Sequence, residues 1–209
     1  IIFDKSEIKF KLDEKNNPKE VVFKTAKSAN KLIEEFMLLA NRRVAEKMKK
    51  GKERFVFRVH DQPDEEKLKN LQTVVKRLGY NLDLKKNNLN DSLNTLLENT
   101  FGKNEQNLID TLMIRSMSKA EYTTKNIGHY GLAFDNYTHF TSPIRRYPDV
   151  LVHRLIEAEL KKEKIKTEEL ETLCNHSTHM EILATKAERD SIKLMQIKYM
   201  LDKEGKIFE

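Results

Sequence analysis

The stretch TSPIRRYPD, residues 141–149, sets two arginines between two prolines, next to hydroxyl side chains that can cap a helix. Thr141 or Ser142 suits the N-cap of a helix whose first residue is Pro143, because proline lacks an N–H at the place where helical donors have no partner. Pro148, five residues on, would remove a helical hydrogen bond, so the alternative is a regular helix that starts only near Tyr147. In both arrangements Arg145 and Arg146 stand beside unpaired backbone N–H groups. Cations there oppose the helix dipole unless an anion lies between them. A phosphate meets that need, and a guanidinium can grip it with two parallel hydrogen bonds. The plainer alternative is an ion pair from Arg145 or Arg146 to Asp149 or to a distant carboxylate.

Around the arginine pair stand Tyr122, Tyr130, Phe134, Tyr137, His139, Phe140 and Tyr147, interleaved with Gly128 and Gly131. Exposed aromatic faces stack single-stranded bases for about 1 to 3 kcal/mol each, whatever the base, so rings and guanidinium groups together suit a nucleic-acid track. Taken singly, each ring also suits a core beneath a loop. Two carboxylate stretches add candidates. LIEEFMLLAN places Glu34, Glu35 and Asn41 on a helix that is apolar nearly all round, so it should be largely buried and its carboxylate must find a partner. That partner is a core arginine or, on the functional reading, ribose hydroxyls in a channel. KAERDSIK places Glu188 after Ala184 and Ala187, where it could orient Arg145 or Arg146 across a helix interface or make a plain salt bridge.

Other chemistry is missing. His176 and His179 have a zinc-compatible spacing but no third ligand nearby, and no phosphate-cradling glycine loop or serine nucleophile elbow occurs. Nor is there a tight cluster of aspartates, which a two-metal phosphodiester hydrolase needs to hold ions about 3.5 to 4 Å apart. Within the chain the metal-ligand set is therefore read as none.

Periodicity indicates the elements that must position these groups. EIKFKL alternates like a strand and NNP turns the chain; from Lys19 to Lys50 the spacing of Ile33, Phe36, Met37, Ala40, Val44 and Met48 predicts a helix. FVFRVH, residues 55–60, reads as a short strand, followed by a helix to about Leu78, two shorter helices separated near Gly102, and a strand in AEYTT. Short strands are expected around Tyr130 to Ala133, helix from Ser142 to about Lys164, and a last long helix from about Thr167 to Leu201. The expected fold class is α+β, mostly helical, in one domain with a few strands.

With 39 Lys plus Arg against 33 Asp plus Glu in 209 residues, the formal charge is +6, which is compatible with an anionic partner and does not establish one. No apolar run approaches the roughly 18 residues of a membrane span and no secretory leader opens the chain, so it reads as soluble and cytoplasmic, with no membrane partner. Cys174 stands alone and can form no internal disulfide. The strand-like openings at Ile1 and at GKIFE suggest a piece of something longer.

LIEEFMLLANRRVA, FRVHDQP, IRSMSKAEYTTKNIGHYGLAFDNYTHFTSPIRRYPDVLVHR and KAERD, in this order, resemble the C-terminal half of the catalytic domain of the ribonuclease II and ribonuclease R exoribonucleases. The version of the longest motif, with NIGHYGLA before YTHFTSPIRRYPD, looks more like the bacterial ribonuclease R type. The resemblance implies residues 1–203 from a ribonuclease II-type catalytic domain and residues 204–209 as the start of an oligonucleotide-binding barrel. It implies a processive 3′-to-5′ exoribonuclease that hydrolyses single-stranded RNA to nucleoside 5′-monophosphates with magnesium. By the same resemblance Arg145 and Glu188 are catalytic, Arg145 contacting the phosphate at the scissile bond and Glu188 accompanying it. Glu35, or Glu34 beside it, would lie in the channel near the 3′-terminal ribose, and Arg146, Tyr122, Tyr137 and Tyr147 would belong to the RNA-binding set. The magnesium-binding aspartates of that family precede any segment present here. The chain alone is thus expected to be inactive and prone to self-association through exposed surface, and the longer protein monomeric. A non-catalytic single-stranded RNA-binding module is the alternative, and a purely structural helical domain the remaining one.

Overall fold

A computed structural model describes residues 7–24, 27–51, 54–85, 89–164 and 167–205. The chain is mostly helical with short strands, as an α+β fold requires. It opens with an antiparallel hairpin of β1 (Glu7–Leu12) and β2 (Pro18–Lys24), in register from Glu7 opposite Lys24 to Lys11 opposite Glu20. Its turn is closed by the Asp13 carboxylate, which accepts from the amides of Lys15 and Asn17 at 2.9 and 2.8 Å, with Asn16 in the left-handed region at φ 60°. Residues 19–24 are therefore strand and not helix, contrary to the periodicity reading. Val21, Val22 and Phe23 are β-branched or aromatic, and a neighbouring strand across a tight turn outweighs a short helical pattern.

Helix α1 (Ser28–Lys49) follows, and only Asn41, Ala45 and Met48 of it are buried. The expected burial of its first half is not found. Leu32, Ile33, Phe36 and Leu39 are about half to three-fifths exposed, because no described element packs over them. Strand β3 (Phe57–Val59) then leads into α2 (Glu65–Arg77), which is capped by Asp64 accepting from the Lys67 amide at 3.0 Å. Helices α3 (Leu89–Thr100) and α4 (Gln106–Ser116) pack with α2 around Leu71, Val75, Leu93, Ile109 and Met113, forming one of two cores.

Strand β4 (Glu121–Thr123) pairs antiparallel with β3, Arg58 opposite Tyr122. Residues 130–132 form a short 3-10 turn in place of the expected strand, joined to the sheet side by a bridge from His60 to His129. Helix α5 (Tyr147–Lys161) begins at Tyr147, so of the two openings considered from the sequence the structure selects the later one, with Pro148 in the first turn, where its missing N–H costs nothing. Helix α6 (Leu170–Met200) is 31 residues long, and its first turns press Leu170 and Cys174 against Phe55, Val59, Val152 and Leu155 in the other core. Beyond Met180 it is largely exposed until Tyr199, whose ring meets Phe10 of the hairpin at 6.2 Å. The expected opening of a further module at residues 204–209 lies mostly outside the described residues.

Candidate nucleic-acid interface

Residues 137–146 run between β4 and α5 without a ladder of their own, so their backbone groups need partners elsewhere. Side chains and strands on three sides supply them. The Tyr137 carbonyl accepts from the Arg58 amide at 2.9 Å, and the Thr138 hydroxyl donates to the Val56 carbonyl at 2.7 Å. From α1, the Asn41 carboxamide oxygen accepts from the amides of Phe140 and Thr141 at 2.9 and 3.2 Å, while its NH2 donates to the Tyr137 hydroxyl at 3.1 Å. From α5, His153 stacks on Phe140 at 4.3 Å and donates Nε2–H to the Phe140 carbonyl at 2.8 Å. Asp149, fully buried, accepts from the Ser142 amide at 2.8 Å and from Arg146 Nη2 at 2.9 Å.

The result is a short turn over residues 143–145, with the Arg146 amide on the Ser142 carbonyl at 3.1 Å, from which Arg145 projects into solvent. Arg145, Arg146, Tyr147 and Tyr122 line one side of a cleft of about 770 Å³, and His176, Met180, Glu181 and Ala184 of α6 line the other. Two of these lining residues share one partner, since Arg58 lies over the Tyr122 ring at 4.5 Å and pairs with Glu181 at 2.6 Å. Each of the two carboxylates here, Asp149 and Glu181, is held by an arginine, whereas Arg145 makes no ion pair among the described residues.

Electrostatics beneath the cleft follow from burial among cations. His139 shares a 2.7 Å hydrogen bond with the Tyr122 hydroxyl. Burial, reinforced by Arg146 and Arg58, pushes its pKa down to about 3. Burial and the neighbouring His60 bring His129 to about 4, and burial lifts the Tyr122 phenol to about 12 and raises that of Tyr137. At neutral pH these rings are uncharged, so the fixed charges around the turn are the guanidinium groups and their two carboxylates.

The structure thus brings Tyr122, Arg145, Arg146 and Tyr147 together and joins Tyr137 to them through His139, whose ring lies 5.7 Å from Tyr137 and 5.6 Å from Tyr122. Tyr122 and Tyr137 are buried, as core residues beneath a loop would be, while Tyr147 is 46% exposed. Glu35 is exposed on the first half of α1 and Glu188 on α6, one turn beyond the cleft residue Ala184. Arg146 is paired with Asp149, the plain alternative considered from the sequence. Asn41, Arg58, Asp149, His153 and Glu181 organise the site, and of these the sequence offered only Asp149, as an ion-pair partner for one of the arginines. An asparagine within an apolar helical pattern was the available signal for Asn41; Glu181 carried none. Among the described residues no group of three His, Cys, Asp or Glu side chains could hold a metal ion. The described residues therefore offer no ligand set for the magnesium that the resemblance implies.

A family model of the RNB domain matches residues 1–162. Ribonuclease R of Aquifex aeolicus (strain VF5) is 37% identical over 212 residues, spanning 100% of this chain and 30% of that protein. The solved structure of Mycoplasma genitalium RNase R in complex with ribose methylated single-stranded RNA is similar at a TM-score of 0.88 and 26% identity, over 97% of this chain and 33% of that one. Yeast Ssd1, described as a pseudonuclease, is similar at a TM-score of 0.60 and 27% identity over 72% of this chain and 20% of that one. The fold is thus a known type, and this chain belongs to the RNB domain family. It spans about three tenths of the length of the curated relatives it matches.

Proposed function

We propose that this chain forms the phosphate-gripping wall of the RNA channel in a processive 3′-to-5′ exoribonuclease that hydrolyses single-stranded RNA to nucleoside 5′-monophosphates. The observation that carries the reading is the Arg145 guanidinium, without an ion pair among the described residues, presented on a clamped turn beside the exposed ring of Tyr147 and over a cleft whose carboxylate, Glu181, is already neutralised. Arg145 is assigned the phosphate at the scissile bond, where it would offset charge developing on the phosphoryl oxygens. Glu188 is assigned a place beside it, Glu35 and Tyr147 the neighbouring RNA, and Arg146, Tyr122 and Tyr137 the support of that RNA-binding surface from below. The relative solved with single-stranded RNA supports RNA as the partner. Hydrolysis belongs to a longer, monomeric, cytoplasmic protein whose magnesium ligands lie outside this chain. The exposed apolar residues along α1 and α6, Phe36 and Leu194 among them, make self-association of the chain alone part of the same proposal.

The test is fluorescence anisotropy with a labelled 12-nucleotide oligoadenylate titrated by the chain at several salt concentrations. Two or three phosphate contacts should give a slope of log affinity against log salt of about −1.4 to −2.1. Arg145→Ala should weaken binding by about tenfold, and added magnesium should release no mononucleotides from the chain alone. Binding that is absent or indifferent to salt sinks the reading. A second reading, a non-catalytic RNA-binding module, is favoured by the likeness to the pseudonuclease Ssd1. Nuclease assay of the longer protein with magnesium separates the two, since the module alone predicts no mononucleotide release.

A further inference from the structure

The geometry points to Asn41 and Asp149 as positioning residues that divide the labour of the arginine pair, holding Arg146 as a strut so that Arg145 stays free for an RNA phosphate. The inference rests on the RNA-binding reading above. Asn41 is 3% exposed and makes three hydrogen bonds to three successive parts of the segment: the Tyr137 hydroxyl and the amides of Phe140 and Thr141. Asp149 is 0% exposed and takes hold of the next two anchor points, the Ser142 amide and the Arg146 guanidinium. Between those anchors the chain makes only its own narrow turn, with Ile144 at 99% exposure. Both flanks of the turn are therefore fixed by buried polar side chains from different helices, and Arg145 departs from a rigid base.

Chain reversal alone does not call for this arrangement. A buried carboxylate is costly to desolvate, and a packed apolar residue would close the same turn without that cost. What an apolar residue cannot do is select between two adjacent guanidinium groups. Asp149 pairs with Arg146, and Arg145 is left with no carboxylate among the described residues. Two further buried atoms, Arg146 Nε and Asp149 Oδ2, have no hydrogen-bond partner among the described residues and are a matched donor and acceptor on this same pair. A two-bond fork between these groups would satisfy both and tighten the strut. Asn41 uses three of its four hydrogen-bonding positions on the segment, so its shape as well as its polarity is engaged.

The experiment combines a double-mutant cycle with amide exchange on the full chain. Asp149→Asn and Asn41→Ala are each placed in the wild-type and in the Arg145→Ala background, and affinity for the 12-nucleotide oligoadenylate is measured by anisotropy. Loss of a preorganised side chain predicts about three- to tenfold weaker binding in the wild-type background and little change in the Arg145→Ala background. Amide exchange should quicken at residues 140–146 and stay unchanged in the core around Leu71. An equal loss in both backgrounds, or unaltered affinity in a folded variant, overturns the inference. So does unaltered exchange across the turn. Asn41→Ala decides the matter should Asp149→Asn not fold, because Asn41 holds the segment from a different helix. A wild-type chain that leaves the RNA unbound refutes the function proposed above and takes this role down with it, whereas binding that is retained but independent of Arg145 refutes the division of labour alone.

Discussion

Acid should loosen this fold well above the pH at which its carboxylates titrate, and the cause is a pair of half-buried imidazoles. His139 and His129 are brought from an ordinary 6.5 to about 3 and about 4 by burial first and by neighbouring positive groups second. The groups facing His139 are Arg146, Arg58, His129 and Arg145, all of which disfavour a further charge. A histidine whose folded pKa is depressed binds fewer protons in the native state than in the unfolded one. Its neutral-form stability is therefore complete above about 6.5 and is lost progressively as pH falls toward the folded value. At pH 5 the gap of roughly 1.5 units below 6.5 amounts to about 2 kcal/mol for each ring at full strength. Both rings are partly exposed and share neighbours, so about 2 to 3 kcal/mol for the pair is the expected loss, a large fraction of the 5 to 15 kcal/mol of a typical domain. Carboxylates with lowered pKa, such as Asp13 and Glu20, contribute stability that is lost only as pH falls below about 4.5, outside this window. Urea unfolding followed by circular dichroism at pH 7.5, 6.0 and 5.0 measures the effect. A midpoint that stays level from pH 7.5 to 5.0, or a fall of the same size in His139→Gln, would refute the reasoning.

Gly128 has φ +84° and holds the His60 amide on its carbonyl at 3.0 Å, and a Cβ there would stand 3.3 Å from the Phe134 carbonyl oxygen; Gly128→Ala should lower unfolding stability by about 1 to 2 kcal/mol in a urea titration. Cys174 is fully buried and its thiol is pushed up to about 12, so it should resist a thiol-specific reagent at pH 8 and react only as the chain unfolds, which timed absorbance of the released thiolate will show.

Much of the architecture was legible because it depends on local signals. Asp64 before an apolar-periodic run marks the start of α2, and Pro148 rules a regular helix through residue 144 out of easy reach. The misreading of residues 19–24 shows where local signals fail. A run of that length matches helical and extended spacing alike, and only the partner strand across the Asp13 turn decides. Burial of α1 failed for a related reason: an apolar face states that something should cover it, without saying that a described neighbour does.

For the site, residue types and spacing were enough to single out Arg145, Arg146 and their aromatic surroundings as the chemistry-bearing part of the chain, because guanidinium forks, rings and proline-framed turns have narrow uses. Which arginine is spent and which is free was settled only in three dimensions. Asn41 lies about a hundred residues from the amides it holds, and Glu181 meets Arg58 across 123. No periodicity records such pairings, since they arise when helices from distant parts of the chain dock and compete for the same few buried polar partners.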